Sequence, residues 1–292
     1  PRLLNMIHPL LFVPTWKSTG RRLSQLAFWV LLTAVPASAQ FNDKWVSFQK
    51  SPTALPTGAT ISDDNHETDL AWGDLDLDGD TDLVIVRKEP FTTTGGRSNI
   101  LLMNEGGVLV DRTVSHASAS DVLGDLGFLT PTNDRDVVIA DLNGDGFPEL
   151  ITAPEQTVGQ PKHIHHPRIY WNLGMVAGVW QGFRYEDSRF PQLFHLSSGA
   201  ALQPRFMAVA AGDVNNDGAV DLYFADHDSG TTLWGPLQPA SEDTEDRLLL
   251  NDGNGYFTDS TLLSLTPAMI ESKFCNSVVL ADVNQDGAVD VI

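Results

Sequence analysis

The sequence predicts an all-β fold, a β-propeller of four-stranded antiparallel blades, and three observations predict it. A nine-residue Asp/Asn-Gly pattern occurs four times at near-constant spacing. Each copy is flanked by short β-prone runs, and a β-hairpin signature begins 25, 27 and 34 residues after the start of the first three copies.

The pattern is D-x-[DN]-x-D-G-x-x-[DE]. Its copies run Asp74-Leu-Asp76-Leu-Asp78-Gly79-Asp80-Thr-Asp82, Asp141-Leu-Asn143-Gly-Asp145-Gly146-Phe147-Pro-Glu149, Asp213-Val-Asn215-Asn-Asp217-Gly218-Ala219-Val-Asp221 and Asp282-Val-Asn284-Gln-Asp286-Gly287-Ala288-Val-Asp290. Their first residues lie 67, 72 and 69 positions apart. A period this regular marks one structural unit per repeat.

Small and apolar residues precede each loop (Ala71-Trp72-Gly73, Val138-Ile139-Ala140, Ala210-Ala211-Gly212, Val279-Leu280-Ala281). Short β-prone runs follow, beginning at Leu83, Leu150, Leu222 and Val291. The local order is therefore strand, loop, strand. The later signature is clearest in Arg247-Leu-Leu-Leu-Asn251-Asp-Gly253-Asn-Gly255-Tyr-Phe257-Thr-Asp259. It recurs from Asn99 to Asp111 and, with an insertion, from Arg168 to Tyr185. An apolar run, an Asn/Gly turn and a second run make a hairpin, so each repeat of roughly 70 residues supplies four strands, the unit of a propeller blade. Long helical periodicity is confined to the N-terminal region, which excludes an α-solenoid.

The oxygen-rich loops point to calcium, a hard cation that takes six to eight oxygen ligands in flexible geometry. Side chains at positions 1, 3 and 5 converge as the loop wraps round a centre, and glycine at position 6 permits the sharp turn. Position 7 offers its backbone carbonyl (Asp80, Phe147, Ala219, Ala288), and the acid at position 9 closes the shell. One ion per loop gives up to four. An EF-hand loop needs an acid at position 12 followed by a helix, but Ile85, Thr152 and Phe224 stand there within β-prone runs. Thrombospondin-type calcium repeats follow one another without long intervening strands, so the spacing excludes them. Ordinary Asp/Asn/Gly turns are common, yet four aligned copies would set several carboxylates in mutual repulsion with nothing to offset it.

The 292-residue chain is 42% hydrophobic, enough for a sizeable core, and its net charge of −20 disfavours nucleic acid and anionic membranes as partners. Its single cysteine, Cys275, rules out an intrachain disulfide and is expected to be a small core residue beside a strand. Arg21 and Arg22, an apolar run from Leu26 to Val35 and the site Ala37-Ser38-Ala39 read as an export signal. Residues 1–39 are thus expected to be a signal with its upstream residues, and 40–292 the mature propeller, placed outside the cell, at its surface or in the periplasm. The apolar run is too short to span a bilayer, and no membrane span is expected after signal removal. The chain opens on Pro1 and stops at Ile292 within a strand-like run, so it is expected to be part of a longer protein.

At these residues the sequence resembles the FG-GAP/VCBS repeat family, whose calcium-loop blades also build the integrin α-subunit propeller. The stretches Trp72 to Val84 and Leu248 to Asp259 are close to its two hallmarks, and the resemblance covers residues 41 to 292. It implies a propeller of seven blades in the parent, of which about four units are present. Glu149 replaces Asp at position 9, and the literal Phe-Gly and Gly-Ala-Pro elements are degraded.

His163, His165 and His166 could in principle bind zinc or copper, but no cysteine accompanies them and a solvated inter-strand loop is the expected setting. The stretch from Asp63 to Glu67 is expected to be a polar connection rather than part of a ligand or catalytic patch. No nucleophile elbow, P-loop or zinc-protease motif is present. The expected role is a non-catalytic binding, adhesion or scaffold module with a protein or carbohydrate ligand. The competing role is the propeller domain of a secreted polysaccharide lyase or hydrolase whose site lies elsewhere, because fold alone does not decide between them.

Overall fold

The computed structural model describes residues 67–89, 96–154, 160–226, 245–270 and 275–292. All of these belong to the compact unit Ser51–Ile292. The expected export segment and residues 63–66 lie outside the described residues. The fold is mostly β: among the described residues each helix has four residues or fewer, and none is long and apolar enough to cross a membrane.

The first unit is an antiparallel meander of β1 (Glu67–Gly73), β2 (Asp82–Arg87), β3 (Ile100–Asn104) and β4 (Leu109–Asp111). The second contains β5 (Ala119–Ser120), β6 (Asp134–Ala140), β7 (Glu149–Pro154), β8 (Arg168–Asn172), β9 (Met175–Val176), β10 (Val179–Trp180) and β11 (Phe183–Tyr185). The third repeats the simple meander with β12 (Phe206–Gly212), β13 (Asp221–Asp226), β14 (Arg247–Asn251) and β15 (Phe257–Asp259). The fourth is represented by β16 (Leu280–Ala281) paired with β17 (Asp290–Val291).

Four strands per repeat therefore hold for the first and third units, whereas the second departs. Its sheet has five strands because β5 adds to β11 in parallel at the outer edge, and β9 and β10 form a separate hairpin between β8 and β11. The described residues contain three sheets and the opening hairpin of another, with no closed ring among them.

The sheets stack face to face. Along β7, Leu150 enters the cluster that also contains Val84, Val86 and Leu101 of the first sheet, while Ile151 enters the cluster with Val209, Leu222 and Phe224 of the third. On β8, Tyr170 and Ile169 divide in the same way. The second strands β2, β7 and β13 are buried at every position, as expected for strands covered on both faces and written as unbroken apolar runs.

The first strands pack against one another in chain order, β1 on β6 and β6 on β12. Each carries a register shift near its start, between Glu67 and Asp69, between Asp134 and Asp136, and between Phe206 and Ala208. In two units that irregularity accompanies a carboxylate reaching the next sheet: Asp69 Oδ2 accepts the Val137 N–H at 3.2 Å and Asp136 Oδ2 accepts the Val209 N–H at 2.8 Å. Ala208 ends the series in the third unit.

Two predictions follow from this packing. Phe224 is fully buried, with Phe206 at 4.9 Å and the edge of Phe190 at 5.6 Å between ring centroids. Phe224→Ala should lower unfolding free energy by about 3–5 kcal/mol in denaturant titration, whereas Leu263→Ala, at 90% exposure, should change it by about 0.5 kcal/mol or less. Burial and the adjacent Asp69 carboxyl push Asp136 up from 3.8 to about 7. The folded state then holds a proton that the unfolded chain has lost, so this group's contribution to stability is complete below the unfolded value and disappears as pH rises through about 7. Asp136→Asn should flatten the decline of melting temperature across that window.

Candidate metal centre

In all four units the residue before position 1 pairs with position 9 (Gly73 with Asp82, Ala140 with Glu149, Gly212 with Asp221, Ala281 with Asp290). The predicted loops are therefore the connections between first and second strands. The same hydrogen-bond skeleton recurs in each. Position-1 Oδ2 accepts the position-6 glycine N–H at 3.0, 2.8, 2.9 and 2.9 Å. Position-3 Oδ1 accepts the position-5 N–H at 3.3, 2.9, 2.9 and 2.8 Å. Position-5 Oδ1 accepts the position-7 N–H at 2.8, 2.8, 2.8 and 2.9 Å. Position 9 accepts the position-2 N–H at 2.9, 2.8, 3.1 and 3.1 Å. These short side-chain-to-backbone bonds turn three side chains into the bend.

Two backbone positions make the bend. The position-6 glycines have φ of 94°, 90°, 90° and 88°, a region nearly free of cost only for glycine. Position 4 is also left-handed, and there only Gly144 is a glycine; Leu77, Asn216 and Gln285 adopt φ of 60°, 58° and 64°. Sequence reasoning missed position 4, although the glycine in the second copy was a signal.

Burial is graded along the first three loops. Asp74, Asp141 and Asp213 at position 1 are half-buried, Asp78, Asp145 and Asp217 at position 5 are exposed, and Asp82, Glu149 and Asp221 at position 9 are fully buried. At position 7, Asp80, Phe147 and Ala219 are half-buried. The fourth loop is more open: Asp282, Asn284, Asp286 and Ala288 are exposed and Asp290 is half-buried.

In the first loop, ligand oxygens of Asp74, Asp76 and Asp78 lie within 4.8 Å of one another. Burial, then the charges of Asp78 and Asp74, raise Asp76. In the second and third loops a neutral amide replaces the middle acid, and Asn143 and Asn215 donate Nδ2–H to the position-5 carboxylates at 2.9 and 2.8 Å.

The position-9 acids lie one layer deeper. Asp82 and Asp221 each use their second oxygen to accept the N–H of Asn104 or Asn251 on the third strand, at 2.8 and 2.9 Å. Burial raises Asp82 to about 6, raises Glu149 to about 8 and shifts Asp221 upward. Glu149 Oε1 and Asp74 Oδ1 are buried with no hydrogen-bond partner. The converging carboxylates of the first loop, with buried oxygens left unsatisfied in the first and second, fit a hard oxygen-seeking cation. A bound cation would also reverse the local pressure towards protonation.

Sequence reasoning treated the third-strand asparagines as turn residues, but they clamp the loops. Asn104 Nδ2 donates to Thr81 O at 3.2 Å, Asn172 to Pro148 O at 3.0 Å and Asn251 to Val220 O at 3.0 Å, in each case position 8 of the unit's own loop. Their shared register in the hairpin signature was the available clue.

The expected solvated loop does not hold for the histidines: His163 and His165 lie in the short helix Lys162–His165, and His165 and His166 are buried because His166 fills the space beside Leu193 and Phe190. His166 is fully buried; its Nε2 accepts the Leu193 N–H at 3.0 Å and its Nδ1 lies 2.7 Å from His165 Nδ1. The His163 carbonyl accepts a hydrogen bond from Arg168. Burial, then neighbouring charges, hold His166 well below its ordinary value. Cys275, expected in the core, is only half-buried, and burial with Asp246 and Asp226 nearby pushes its thiol up, away from the thiolate a nucleophile needs.

These features define a chain of antiparallel β-units, each opened by an acid-rich, oxygen-lined loop. Residues 213–292 match the family described as FG-GAP-like repeat, in agreement with the resemblance carried by the hallmark stretches. This segment contains the third and fourth loops, and the first two loops share their hydrogen-bond skeleton. A search of curated proteins finds no match.

The turn chemistry is testable apart from any metal. A Cβ added at Gly79 meets no atom within 4 Å, so only its φ of 94° opposes it. Gly79→Ala should therefore cost about 1–2 kcal/mol by denaturant unfolding in chelator. Leu77→Gly, which relieves the other left-handed residue, should leave stability unchanged or raise it by up to about 1 kcal/mol.

Proposed function

We propose that this protein is an exported, calcium-stabilised β-propeller module that binds a protein or carbohydrate ligand without catalysing a reaction. Stacked antiparallel sheets whose first strands meet in chain order support the propeller reading. The observation that carries the calcium reading is the hydrogen-bond skeleton shared by all four loops, with carboxylates converging in the first and with Asp74 Oδ1 and Glu149 Oε1 buried and unsatisfied. Zinc would call for His or Cys ligands, and the loops contain neither.

Positions 1, 3 and 5 would hold the ion by side-chain oxygens, position 7 by its carbonyl, and position 9 would complete the set from below. The ion neutralises the convergent acids and fixes the loop. Each divalent ion also offsets part of the net charge of −20, which opposes compaction. Extracellular calcium modules have dissociation constants of about 10⁻⁴ to 10⁻³ M. At tenfold excess each site then contributes about 1.4 kcal/mol by mass action, and four sites roughly 5–6 kcal/mol, a large share of the ~5–15 kcal/mol typical of a domain.

Thermal melts in millimolar calcium, in magnesium alone and in chelator test the reading. Calcium should raise the melting temperature strongly, magnesium weakly because it demands tighter octahedral geometry, and coincident curves would refute it. Asp217→Ala removes a ligand at position 5 and should abolish binding at the third loop. Replacing Asn216, which is not a ligand, by Gly should preserve binding there.

A further inference from the structure

We infer that neighbouring metal loops are coupled in pairs, with Asn172 and Asn251 as the positioning residues that link them. The inference rests on the calcium reading above and goes beyond it.

Each of these asparagines holds two loops at once. Asn172 Nδ2 donates to Pro148 O, position 8 of the second loop, at 3.0 Å and to Leu75 O, position 2 of the first, at 2.8 Å. Asn251 Nδ2 donates to Val220 O, position 8 of the third loop, at 3.0 Å and to Leu142 O, position 2 of the second, at 2.8 Å. An amide group has two N–H donors on one rigid plane, so both are committed and neither carbonyl can move without disturbing the other.

The carbonyls lie at sensitive places. Position 2 stands between ligand positions 1 and 3, and its own N–H is held by the position-9 acid. Position 8 stands between the position-7 carbonyl and that acid. The amide oxygens are fixed as well: Asn172 Oδ1 accepts the Gly174 N–H and Trp180 Nε1–H at 3.1 and 2.9 Å. Asn251 Oδ1 accepts the Gly253 and Gly255 N–H groups at 3.0 and 2.9 Å. Both residues are buried, so a loop that relaxes without its ion leaves a donor unsatisfied away from water. An ion that orders one loop sets the shared amide for the other, which is positive coupling through a common contact. The second loop is joined to the first by Asn172 and to the third by Asn251.

The position-6 amides of Gly79, Gly146 and Gly218 donate to the position-1 carboxylates and therefore report each loop separately. In the full chain, their NMR shifts are followed during titration with calcium alone. Asp145→Ala, which disables the second loop, should weaken calcium binding at both the first and third loops by about fivefold or more. In the Asn172→Ala background the same mutation should no longer affect the first loop but should still weaken the third. In Asn251→Ala the selectivity should reverse. Asn172→Asp, which keeps the side-chain shape and the Oδ1 acceptor but loses the donor, should repeat the Asn172→Ala result.

Calcium shifts at all three glycines without any effect of Asp145→Ala on neighbouring loops would overturn the coupling alone. So would Asn172→Ala diminishing both couplings equally, the result expected of general destabilisation. No calcium-dependent shift in the native chain would overturn the calcium reading, and this inference with it.

Discussion

Each of the first three units depends on an acid buried at the first residue of its second strand. Asp82 and Asp221 are nearly inaccessible, and each joins the loop above, through the position-2 N–H, to the third strand beside it, through an asparagine N–H. A buried carboxylate is costly unless its oxygens are satisfied, so the contact holds only if the loop bends correctly and the third strand is in register. Loop conformation and sheet register therefore constrain each other. Glu149 occupies the same position with one oxygen on Leu142 N–H and the other unpartnered, leaving the second unit with an unmet demand for a partner.

The repeating pattern made the loops, their flanking strands and the stacking legible in sequence because all three are local or periodic. Nine residues close one hairpin, and short continuous apolar runs declare strands covered on both faces. The asparagine clamps were not legible for the opposite reason: Asn172 reaches Leu75 and Asn251 reaches Leu142 across the fold, and asparagine in a hairpin is already explained by its turn propensity. The left-handed backbone at Leu77 and Gln285 was hidden because those residue types do not advertise positive φ, whereas Gly144 and Asn216 at the same position favour it. His165 and His166 attracted attention as possible ligands, yet their pairing and the Leu193 N–H bond emerge only from tertiary structure.

Charge distribution follows from the same architecture. Loop acids are bound by backbone N–H groups that partly compensate their mutual repulsion, and in the second and third loops an asparagine donates directly to the neighbouring carboxylate. The first loop has Asp76 instead, and there the oxygens converge as an all-carboxylate cluster. The four loops are thus graded in charge and burial while sharing one skeleton, with the first most acidic and the fourth most exposed.

The second unit shows which parts of the design tolerate variation. Its additions are β5 at the outer edge of the sheet and the β9–β10 hairpin beyond Asn172. Neither interrupts β6, β7 or β8, and Trp180 of the hairpin donates to Asn172 Oδ1 and stacks on His116 at 5.3 Å. The outer edge is held by buried Arg168, whose guanidinium pairs with both oxygens of Asp125 and lies 3.6 Å from the Tyr185 ring centroid. An ion pair at such depth must be well bonded to offset desolvation, and Gly127 O, Tyr170 Oη and the His163 carbonyl complete its partners. New elements have therefore been accommodated where a strand edge or turn could be extended. The first strand, acid-rich loop and second strand keep the same form in each unit, where bonds within the loop fix its bend and a few bonds tie it to a neighbouring unit.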